Sequence, residues 1–497
     1  MKLFYSLTIV QLLLYVNSGV AQTAGIKSGT IYSLQSGTGG KLLDVSNASM
    51  ENGASIDMWT NTQSDAQRWV VTSVGKGIYT LTNVGSGKLL HAASLADNAK
   101  VDQVDSAVTA DTKWVIKKAA KGAYYISPAA NPALAINLPE GNVNDGTKVN
   151  VSKTAATKWI FRKELPQDAA PTAAIAEQIF DAWYTQYGIE TGKGFWDQAE
   201  MMEIVLDAYE VTKEAKYADR FNKMYEHFIK ENKSDWMYNN YNDDITWAVL
   251  FSVRGYLLTG NKAYLEKGKE QFDKMYARAF TNSYGGGLIW YETKTSKNAC
   301  IEGPAMVACC YLAQATGDKT YYDKAIALYS WSKIYLFNAA TGKVNDNIDL
   351  NKTTGLIRTG TWSSTYNQGT YLGAAVMLYN YTKEKSYLVE AEKIARYARD
   401  TMFRSATMDN EDGGNDLPGF KGIFARYARK YTIETNNTDL VDWLRLNAKV
   451  AYNNRNSQQL IQTKWATRTD ETKPKSAFGA STAVSLLFNL MPLTTIH

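Results

Sequence analysis

The chain contains four copies of a short pattern that predicts a tight turn between helices: TKEAKY (residues 212–217), TGNKAY (259–264), TGDKTY (316–321) and TKEKSY (382–387). In each copy a threonine and a tyrosine are five residues apart. Stretches with apolar residues at helical spacing lie on both sides. Intervening residues such as Gly317 and Asp318 supply the left-handed backbone and the capping groups of such a turn. The pattern predicts helical hairpins in tandem, with each threonine ending one helix and each tyrosine opening the next.

The C-terminal two thirds of the chain, residues 172–491, is predicted to form an (α/α)6 barrel. With a fainter fifth turn near residues 436–437, the pattern predicts about twelve helices, beginning near residues 172, 196, 215, 243, 261, 298, 319, 367, 386, 419, 437 and 476. Connections through the threonine-to-tyrosine turns are short, whereas the opposite ones are long and rich in aromatic residues. Those long loops all precede even-numbered helices. We therefore expect them, and the functional site, at one end of the barrel.

The N-terminal third, residues 28–164, contains a threefold repeat in short alternating runs typical of β-strands. Trp69, Trp114 and Trp159 recur every 45 residues, and GKLLD (40–44) is echoed by GKLLH (87–91). Three such repeats predict a closed all-β domain in which one tryptophan per repeat fills a shared core. The fold class is therefore multi-domain, with an all-β domain followed by an all-α barrel.

The composition excludes several classes of function. The chain has 54 basic and 49 acidic residues without a basic block, so no nucleic-acid partner is expected. Its three histidines are scattered, which leaves no histidine-based metal site or Ser-His triad. Cys300, Cys309 and Cys310 share one apolar segment and form no disulfide framework. Catalysis, if present, falls to carboxylates, with no metal and no cofactor.

The first 21 residues have the pattern of a signal peptide, with a basic start at Lys2, an apolar run and small residues Gly19 and Ala21. No cysteine follows the expected cleavage point, so a lipid anchor there is not expected. No later stretch is long and apolar enough to span a bilayer. We expect a secreted or periplasmic protein, with a monomer favoured.

The motif YNNYNDD (residues 238–244) places Asp243 and Asp244 side by side where a helix begins at the loop-rich end. Such a pair can simply cap a helix and fill its acidic first turn. It also suits glycoside hydrolysis, which needs one protonated and one ionised carboxyl group, because a close pair separates their pKa values. Retaining enzymes hold these groups about 5–5.5 Å apart and inverting enzymes about 6.5–9.5 Å, so adjacency favours retention.

The N-terminal repeat resembles the ricin-type β-trefoil lectins, whose Q-x-W signature is intact only at residues 67–69. The resemblance implies one sugar site formed by Asp44, Trp59 and Gln67. His91 and Ala135 stand where the other repeats should have an acidic residue. At most one sugar site is therefore expected, and a purely structural trefoil is the alternative.

The barrel region resembles glycoside hydrolase family 76. The resemblance rests on Asn242-Asp243-Asp244, Trp196-x-Gln198, Trp290 to Asn298, YNQG (366–369) and FKGIFARY (420–427). It implies an endo-α-1,6-mannanase acting by retention, with Asp243 as nucleophile and Asp244 as general acid/base. The substrate-binding residues expected on this basis are Trp196, Gln198, Asn242, Trp290, Asn298, Tyr366, Asn367, Gln368 and Arg426. Asp197 departs from the family, where a second aromatic residue is frequent, which puts an outer subsite in question.

Three other functions remain open from the sequence. A transglycosidase of the same fold would use both aspartates but transfer the mannan chain to another sugar. A non-catalytic mannan-binding protein would keep the cleft without the chemistry. The third is an (α/α)6 lyase or hydrolase acting on another glycan. An acidic glycan would need a basic cleft, for which Lys421 and Arg426 are the only candidates.

Overall fold

The computed structural model describes residues 25–62, 64–75, 77–105, 108–153, 156–164, 172–191, 194–350, 354–404, 407–472 and 476–493. The chain forms two compact units that divide after Glu164. The signal peptide predicted at residues 1–21 lies outside the described residues. In the part of the chain that is described, no helix is both long and apolar enough to cross a membrane.

The first unit is a β-trefoil. Its strands are β1 (Thr30–Ser36), β2 (Leu42–Val45), β3 (Ile56–Trp59), β4 (Trp69–Gly75), β5 (Ile78–Asn83), β6 (Leu89–Ala92), β7 (Ala99–Val104), β8 (Trp114–Lys118), β9 (Tyr124–Pro128), β10 (Ala135–Asn137), β11 (Asn150–Ser152) and β12 (Trp159–Lys163). Strands β1, β4, β5, β8, β9 and β12 pair in that order, all antiparallel, and β12 closes onto β1. The other six form the hairpins β2–β3, β6–β7 and β10–β11.

The three repeated tryptophans form the centre of this unit, as predicted. Each opens a barrel strand, and each is fully buried. Their indole N–H groups donate to main-chain carbonyls of the hairpin strands β2, β6 and β10, at 3.1, 3.0 and 3.4 Å respectively. Because a buried indole needs a hydrogen-bond acceptor, this equivalent contact explains why the tryptophan recurs in every repeat.

The second unit consists of helices joined by short turns and long loops. Its helices are α1 (Ala173–Tyr187), α2 (Trp196–Thr212), α3 (Ala215–Asn232), α4 (Asn242–Thr259), α5 (Lys262–Ala279), α6 (Ala299–Thr316), α7 (Thr320–Tyr335), α8 (Thr365–Thr382), α9 (Lys385–Thr401), α10 (Phe420–Thr435), α11 (Thr438–Asn453) and α12 (Ala477–Leu490). Small strands lie in the long loops: β13 (Lys297–Asn298), β14 (Asn347–Leu350), β15 (Ile357–Gly360), β16 (Phe403–Arg404) and β17 (Thr407–Met408).

The even-numbered helices form a closed inner ring. Each packs against the next in the order α2, α4, α6, α8, α10 and α12, and α12 packs against α2. Glycines allow close approach within the ring: a Cβ on Gly373 of α8 would lie 2.2 Å from the Tyr427 ring of α10. The odd-numbered helices surround this ring, which is the predicted (α/α)6 barrel.

The threonine-to-tyrosine turns connect the helices as predicted. The hydroxyls of Thr212, Thr259, Thr316 and Thr382 each donate to the carbonyl four residues earlier, at 2.7–2.9 Å. Each hydroxyl also accepts the backbone N–H two residues later, at 3.1–3.3 Å. The threonine thereby ends one helix and fixes the path into the next, whose tyrosine is buried.

The middle of the barrel contains buried ion pairs in place of a purely apolar core. Arg426 of α10 pairs with Glu200 and Asp207 of α2 at 2.7 and 2.9 Å. Arg254 of α4 pairs with Glu203 and Asp207 at 2.9 and 2.7 Å. All five side chains are at most 2% exposed. These pairs connect three inner helices, so removing one charge would leave its partners buried and unpaired.

Candidate active site

A cleft of about 390 Å³ lies at the end of the barrel where the inner helices begin. Helices α2, α4, α6, α8 and α10 each contribute a residue from their first turn or from the segment just before it. The long loops therefore meet at one end, as the sequence pattern predicts. The residues lining the cleft are Trp196, Tyr241, Asp243, Asp244, Trp247, Trp290, Asn298, Cys300, Asp346, Tyr366, Asp416 and Phe420.

A buried network fixes the start of α4, which carries the aspartate pair. Asn242 donates from its main chain to Trp290 O at 2.8 Å and from its side chain to Ile289 O at 2.9 Å. Arg278 of α5 donates to the Asn242 side chain at 2.8 Å and to the carbonyls of Met237 and Asn239 at 3.0 and 2.8 Å. The preceding loop and the first turn of α4 are thus held together, which positions Asp243 and Asp244.

The surroundings of Asp244 favour the protonated form of its carboxyl group. Burial, together with the neighbouring charge of Asp243, raises the pKa of Asp244 to about 8. The side-chain amide of Asn239 donates to Asp244 Oδ2 at 3.0 Å and partly offsets this rise. A carboxyl group in this state can donate a proton near neutral pH.

Asp243 ionises more readily than its neighbour. Burial raises its pKa to about 6, and the Cys300 thiol and the main-chain N–H groups at the start of α4 limit the rise. The positive end of the helix dipole also favours a carboxylate at this position. Asp243 Oδ1 accepts no hydrogen bond from the described residues and lies in the cleft. Burial raises the pKa of both neighbouring carboxyl groups, and the charge of Asp243 raises that of Asp244 further, so their two ionisations are separated.

Two further carboxyl groups line the cleft. Asp416, just before α10, accepts a hydrogen bond from the Trp196 indole at 2.9 Å. Asp346 is held by main-chain hydrogen bonds with Ala299 and Gly360 at 2.7 and 3.0 Å, and burial raises its pKa. Among the lining residues that the structure describes there is no lysine or arginine. The cleft is therefore acidic and aromatic, which disfavours an anionic ligand.

Six of the expected catalytic and substrate-binding residues lie together in the cleft: Trp196, Asp243, Asp244, Trp290, Asn298 and Tyr366. Trp247 also borders the cleft, with its ring centroid 5.6 Å from that of Trp196. Asn298 Oδ1, like Asp243 Oδ1, has no protein donor in the described part of the chain. Both oxygens are enclosed by protein, and neither is committed to a hydrogen bond within the described residues.

The other expected substrate contacts are buried and do not line the cleft. Asn242 positions the loop, as described above, and Gln198 donates to Ile189 O at 3.2 Å. Gln368 accepts from Val344 N at 2.5 Å and donates to Gly342 O and Ile394 O. Asn367 is fully buried. Asn242, Gln198 and Gln368 therefore support the loops and helices around the cleft, whereas the Asn367 amide has no hydrogen-bond partner among the described residues.

Arg426 and Lys421 differ most from expectation. Arg426 belongs to the buried ion pairs at the middle of the barrel, so the structure does not support the expected substrate contact. Lys421 is buried and lies over the Trp465 ring, 4.2 Å from its centroid, and donates to Thr463 O. Neither side chain makes the cleft basic, which removes the feature that an acidic glycan would require.

Five lining residues were not among the expected site residues: Tyr241, Cys300, Asp346, Asp416 and Phe420. Tyr241 and Cys300 are close in sequence to expected residues, and Asp416 and Phe420 flank the predicted start of the tenth helix. The sequence positions of these four residues could have indicated that they line the cleft. Asp346 lies in a long loop and offered no such indication. Within the described residues, no group of three or more carboxylate, histidine or cysteine side chains is arranged to hold a metal ion.

In the β-trefoil unit, the three expected sugar-binding residues lie on one hairpin and the loop after it. Asp44 and Trp59 are on the paired strands β2 and β3, and Trp59 is 41% exposed. Gln67 is buried and bonds to Thr60 O and Thr62 N at 3.0 and 2.8 Å. Burial raises the pKa of Asp44 to about 6, and a hydrogen bond with Gln67 limits this rise. In the second repeat, His91 contacts Asp102 at 2.7 Å instead.

Two family descriptions match the chain. Glycosyl hydrolase family 76 matches residues 169–494. The ricin-type beta-trefoil lectin domain-like family matches residues 21–104 and 65–152. The first match covers the whole barrel, including every lining residue of the cleft.

Curated relatives include two yeast proteins. Mannan endo-1,6-alpha-mannosidase DCW1 of Saccharomyces cerevisiae is 27% identical over 195 residues, which are 36% of this chain and 43% of that protein. Mannan endo-1,6-alpha-mannosidase DFG5 of the same organism is 28% identical over 185 residues, 34% of this chain and 39% of that protein. The chain thus spans less than half the length of these two relatives.

Similar solved structures cover the barrel. The GH76A alpha-1,6-mannanase from Salegentibacter sp. HEL1_6 has a TM-score of 0.59 and 26% identity, covering 64% of this chain and 98% of that one. An inactive variant of the same enzyme, with two consecutive aspartates changed to asparagine, was solved with alpha-1,6-mannotriose and has a TM-score of 0.60, 26% identity and the same coverage. The fold, the cleft at the helix starts and the match over the whole barrel agree: this chain belongs to glycosyl hydrolase family 76.

Proposed function

We propose that this chain is a retaining, endo-acting glycoside hydrolase that cleaves α-1,6-mannosidic linkages in mannan. Asp243 is the nucleophile and Asp244 the general acid/base. The observation that carries the proposal is the pair of adjacent carboxyl groups, the pKa of Asp244 raised further than that of Asp243, in a cleft lined by aromatic rings. Glycoside hydrolysis by retention needs this division of roles.

In the first step, the Asp243 carboxylate attacks the anomeric carbon and the bond to the leaving oxygen breaks. Asp244 gives its proton to that oxygen, so the leaving sugar departs as a neutral alcohol. The products are a mannosyl ester on Asp243, an ionised Asp244 and a shortened chain. The raised pKa of Asp244 keeps the proton available near neutral pH.

In the second step, the ionised Asp244 removes a proton from a water molecule that attacks the same anomeric carbon. The ester bond to Asp243 breaks, Asp243 leaves as a carboxylate and Asp244 is protonated again. Two displacements at one carbon return the original α configuration. When the attacking hydroxyl belongs to a second sugar, the same step gives transglycosylation, which the experiment below distinguishes.

The aromatic lining supports a neutral polysaccharide as substrate. Trp196, Trp290 and Asn298 line the cleft and are partly exposed, so their rings and amide can contact the C–H groups and hydroxyls of a pyranose. Those carboxyl groups of the cleft that are ionised would repel uronate or phosphate groups, and no basic side chain among the described lining residues offsets them. This argues against the lyase alternative and for an uncharged chain such as mannan.

The names of similar proteins support the linkage. The yeast relatives are named mannan endo-1,6-alpha-mannosidases and the bacterial structure an alpha-1,6-mannanase. The replacement of two consecutive aspartates gave an inactive variant of that bacterial enzyme. Asp243 and Asp244 are the consecutive aspartates of this cleft, which supports their assignment.

We further propose that the β-trefoil unit binds one sugar through Asp44, Trp59 and Gln67. The support is an exposed indole on the strand next to a buried carboxyl group. Such a module would hold the enzyme on a polysaccharide. Export is proposed from the sequence pattern of residues 1–21, and it would bring the enzyme to a substrate outside the cytoplasm.

The test is to incubate the purified protein with unbranched α-1,6-mannan and follow the products by chromatography and by anomeric NMR. We expect a ladder of oligosaccharides in which α-anomers appear first. Asp243→Asn and Asp244→Asn should lose this activity, whereas Asp235→Asn, an exposed aspartate of the same loop, should keep it. β-Anomers first would overturn retention. Products longer than the starting chain would favour transglycosylation, and binding without products would favour a mannan-binding protein.

Azide separates the roles of the two aspartates on an activated aryl α-mannobioside. With Asp244→Gly, azide should take the place of water in the second step and give an α-mannosyl azide. With Asp243→Gly, azide should displace the aryl group directly and give a β-mannosyl azide. The reverse pairing of variant and anomer would exchange the two assignments.

A further inference from the structure

A second cavity of about 410 Å³ lies beside the catalytic cleft in the same unit. Trp362 forms one wall, and the loop from Asp409 to Gly413, with Leu417, forms the other. The cavity size falls within the range of about 300–1,000 Å³ typical of small-molecule sites. None of these residues has a role in the function proposed above.

The two cavities share a wall. Asp416 continues the Asp409–Gly413 loop and lines the catalytic cleft. The Trp362 ring centroid lies 6.5 Å from that of Phe420, which also lines the catalytic cleft. A polysaccharide chain that leaves the cleft on this side would therefore pass directly over the Trp362 ring.

The loop that faces Trp362 is held in place by the rest of the barrel. Glu411 has a left-handed backbone with φ of 41°, unusual for a residue with a side chain. Its carboxylate accepts the main-chain N–H of Thr365 at 2.8 Å and the Thr365 hydroxyl. Asp412 pairs with Lys464 at 2.5 Å, and Asn410 O accepts the Thr463 hydroxyl at 3.0 Å. These contacts fix the wall that a ligand would meet.

The chemistry of the cavity suits a neutral sugar. Trp362 is 48% exposed, so it offers a ring face to the C–H groups of a pyranose. The carboxyl groups of Asp409, Glu411 and Asp412 belong to the lining residues and can accept further hydrogen bonds from hydroxyl groups. The described lining includes no basic side chain, which disfavours an anionic ligand. Its carboxylates belong to no metal-binding group within the described residues.

We propose that this cavity is an outer subsite that binds a further mannosyl residue of the chain cleaved in the catalytic cleft, with Trp362 as its stacking platform. The proposal rests on the function proposed above and adds chain-length selectivity to it. Substrates long enough to reach Trp362 gain binding energy there, whereas short ones do not. The enzyme would then prefer internal bonds of long chains.

The test compares Trp362→Ala with the wild type on α-1,6-mannotriose and α-1,6-mannohexaose. We expect kcat/KM on the hexaose to fall about tenfold, the effect of losing one buried aromatic contact. On the triose it should change by less than about twofold, and Trp362→Phe should restore most of the hexaose rate. Tyr381→Ala, at the far end of α8 and similarly exposed, is the matched control and should leave both rates unchanged.

Two results would overturn the subsite. An equal loss on both substrates would mean that Trp362 only supports Phe420, and no loss on either would mean that the chain does not reach it. Calorimetric titration of the Asp243→Asn variant measures oligosaccharide binding at the subsite independently of the proposed hydrolysis. In that background the hexaose should bind more tightly than the triose, and adding Trp362→Ala should remove the difference. If the wild type does not hydrolyse mannan but the hexaose still binds more tightly than the triose, the proposed hydrolase function is rejected and the subsite is retained.

Discussion

The side-chain amide of Asn239 donates a hydrogen bond to Asp244 Oδ2 at 3.0 Å. The orientation of this amide is set by its other end, because Asn239 Oδ1 accepts the main-chain N–H of Tyr241 at 2.9 Å. Arg278 fixes the main chain of Asn239 at 2.8 Å. A donor held in this way stabilises the ionised form of Asp244 and so limits how far burial raises its pKa.

Asn239→Ala should therefore move the alkaline limb of the pH profile of kcat/KM to higher pH. Losing the donor raises the pKa of Asp244, so its protonated form persists to higher pH. A hydrogen bond to a charged group contributes about 1.5–3 kcal/mol and one pKa unit corresponds to about 1.4 kcal/mol. We expect a shift of about one pH unit or more, with the acidic limb nearly unchanged.

The control for this shift is Asn232→Ala. Asn232 accepts the Tyr238 hydroxyl at 2.7 Å in the same loop region and makes no hydrogen bond with Asp243 or Asp244 among the described residues, so it can serve as a control for their proposed roles. It should leave both limbs in place. An alkaline limb that moves to lower pH in Asn239→Ala would contradict the proposed role of Asp244.

The wild type should show a bell-shaped dependence of kcat/KM on pH. Asp243 must be ionised, so activity rises as pH passes its pKa of about 6. Asp244 must be protonated, so activity falls as pH passes its pKa of about 8. We expect the maximum near pH 7, measured with α-1,6-mannohexaose at constant ionic strength. A rate that keeps rising above pH 9 would exclude Asp244 as the proton donor.

The barrel could be predicted from the sequence because its signals are local. A threonine that bonds back into its own helix and caps the turn gives the same short pattern each time, and every predicted helix start lies within two residues of the observed one. The repeated tryptophans predicted the β-trefoil equally well, because each makes the same indole hydrogen bond in its own repeat. The aspartate pair also lies in the cleft, at the start of a helix as predicted.

Which neighbours face the cleft could not be read in the same way. Successive residues of a helix point about 100° apart, so Tyr366 lines the cleft while Asn367 and Gln368 are buried. Glu200 and Asp207 of α2 look like an exposed face in sequence. They are buried because Arg426, more than 200 positions later, neutralises them. Such pairing depends on tertiary packing alone.

Arg426→Met should destabilise the barrel strongly. It would leave Glu200 without its arginine partner and Asp207 with Arg254 alone, both in a fully buried position. Breaking a buried pair in this way costs about 3–5 kcal/mol. We expect a large decrease in the urea midpoint, measured by fluorescence. Because Arg426 does not line the cleft, the KM of the protein that remains folded should stay close to that of the wild type.

Arg399→Met is the matched comparison for this loss. Arg399 pairs with Asp400 at 2.6 Å and with Asp439 at 3.2 Å near the surface. Exposed pairs of this kind contribute about 0–1 kcal/mol. A similar small effect for Arg426→Met would mean that the central ion pairs do not stabilise the barrel, and a large rise in KM alone would instead support a role in substrate binding.

Asp44→Asn should stabilise the β-trefoil above pH 6 while removing its sugar binding. The pKa of Asp44 is about 6 in the folded chain against 3.8 ordinarily, so the folded state holds its proton more tightly. That contribution is fully present below pH 3.8 and is lost as pH rises through 6. The shift alone corresponds to about 3 kcal/mol at pH 7, and solvent screening reduces the cost of the buried charge to about 2 kcal/mol. An uncharged asparagine avoids this cost. Unfolding of the full chain, monitored by calorimetry at pH 5 and 7, should show the gain mainly at pH 7.

Measuring sugar binding by the Asp44→Asn variant tests whether the buried Asp44 carboxylate binds a sugar. With Asp243→Asn in the background, titration with lactose, methyl α-mannoside and α-1,6-mannotriose should show a site that Asp44→Asn removes. Asp97→Asn is the control: its pKa is lowered by the main-chain N–H of Lys153, so its substitution should not stabilise the domain at pH 7. If Asp44→Asn changes neither stability nor binding, Asp44 is neither a strained charge nor a sugar ligand.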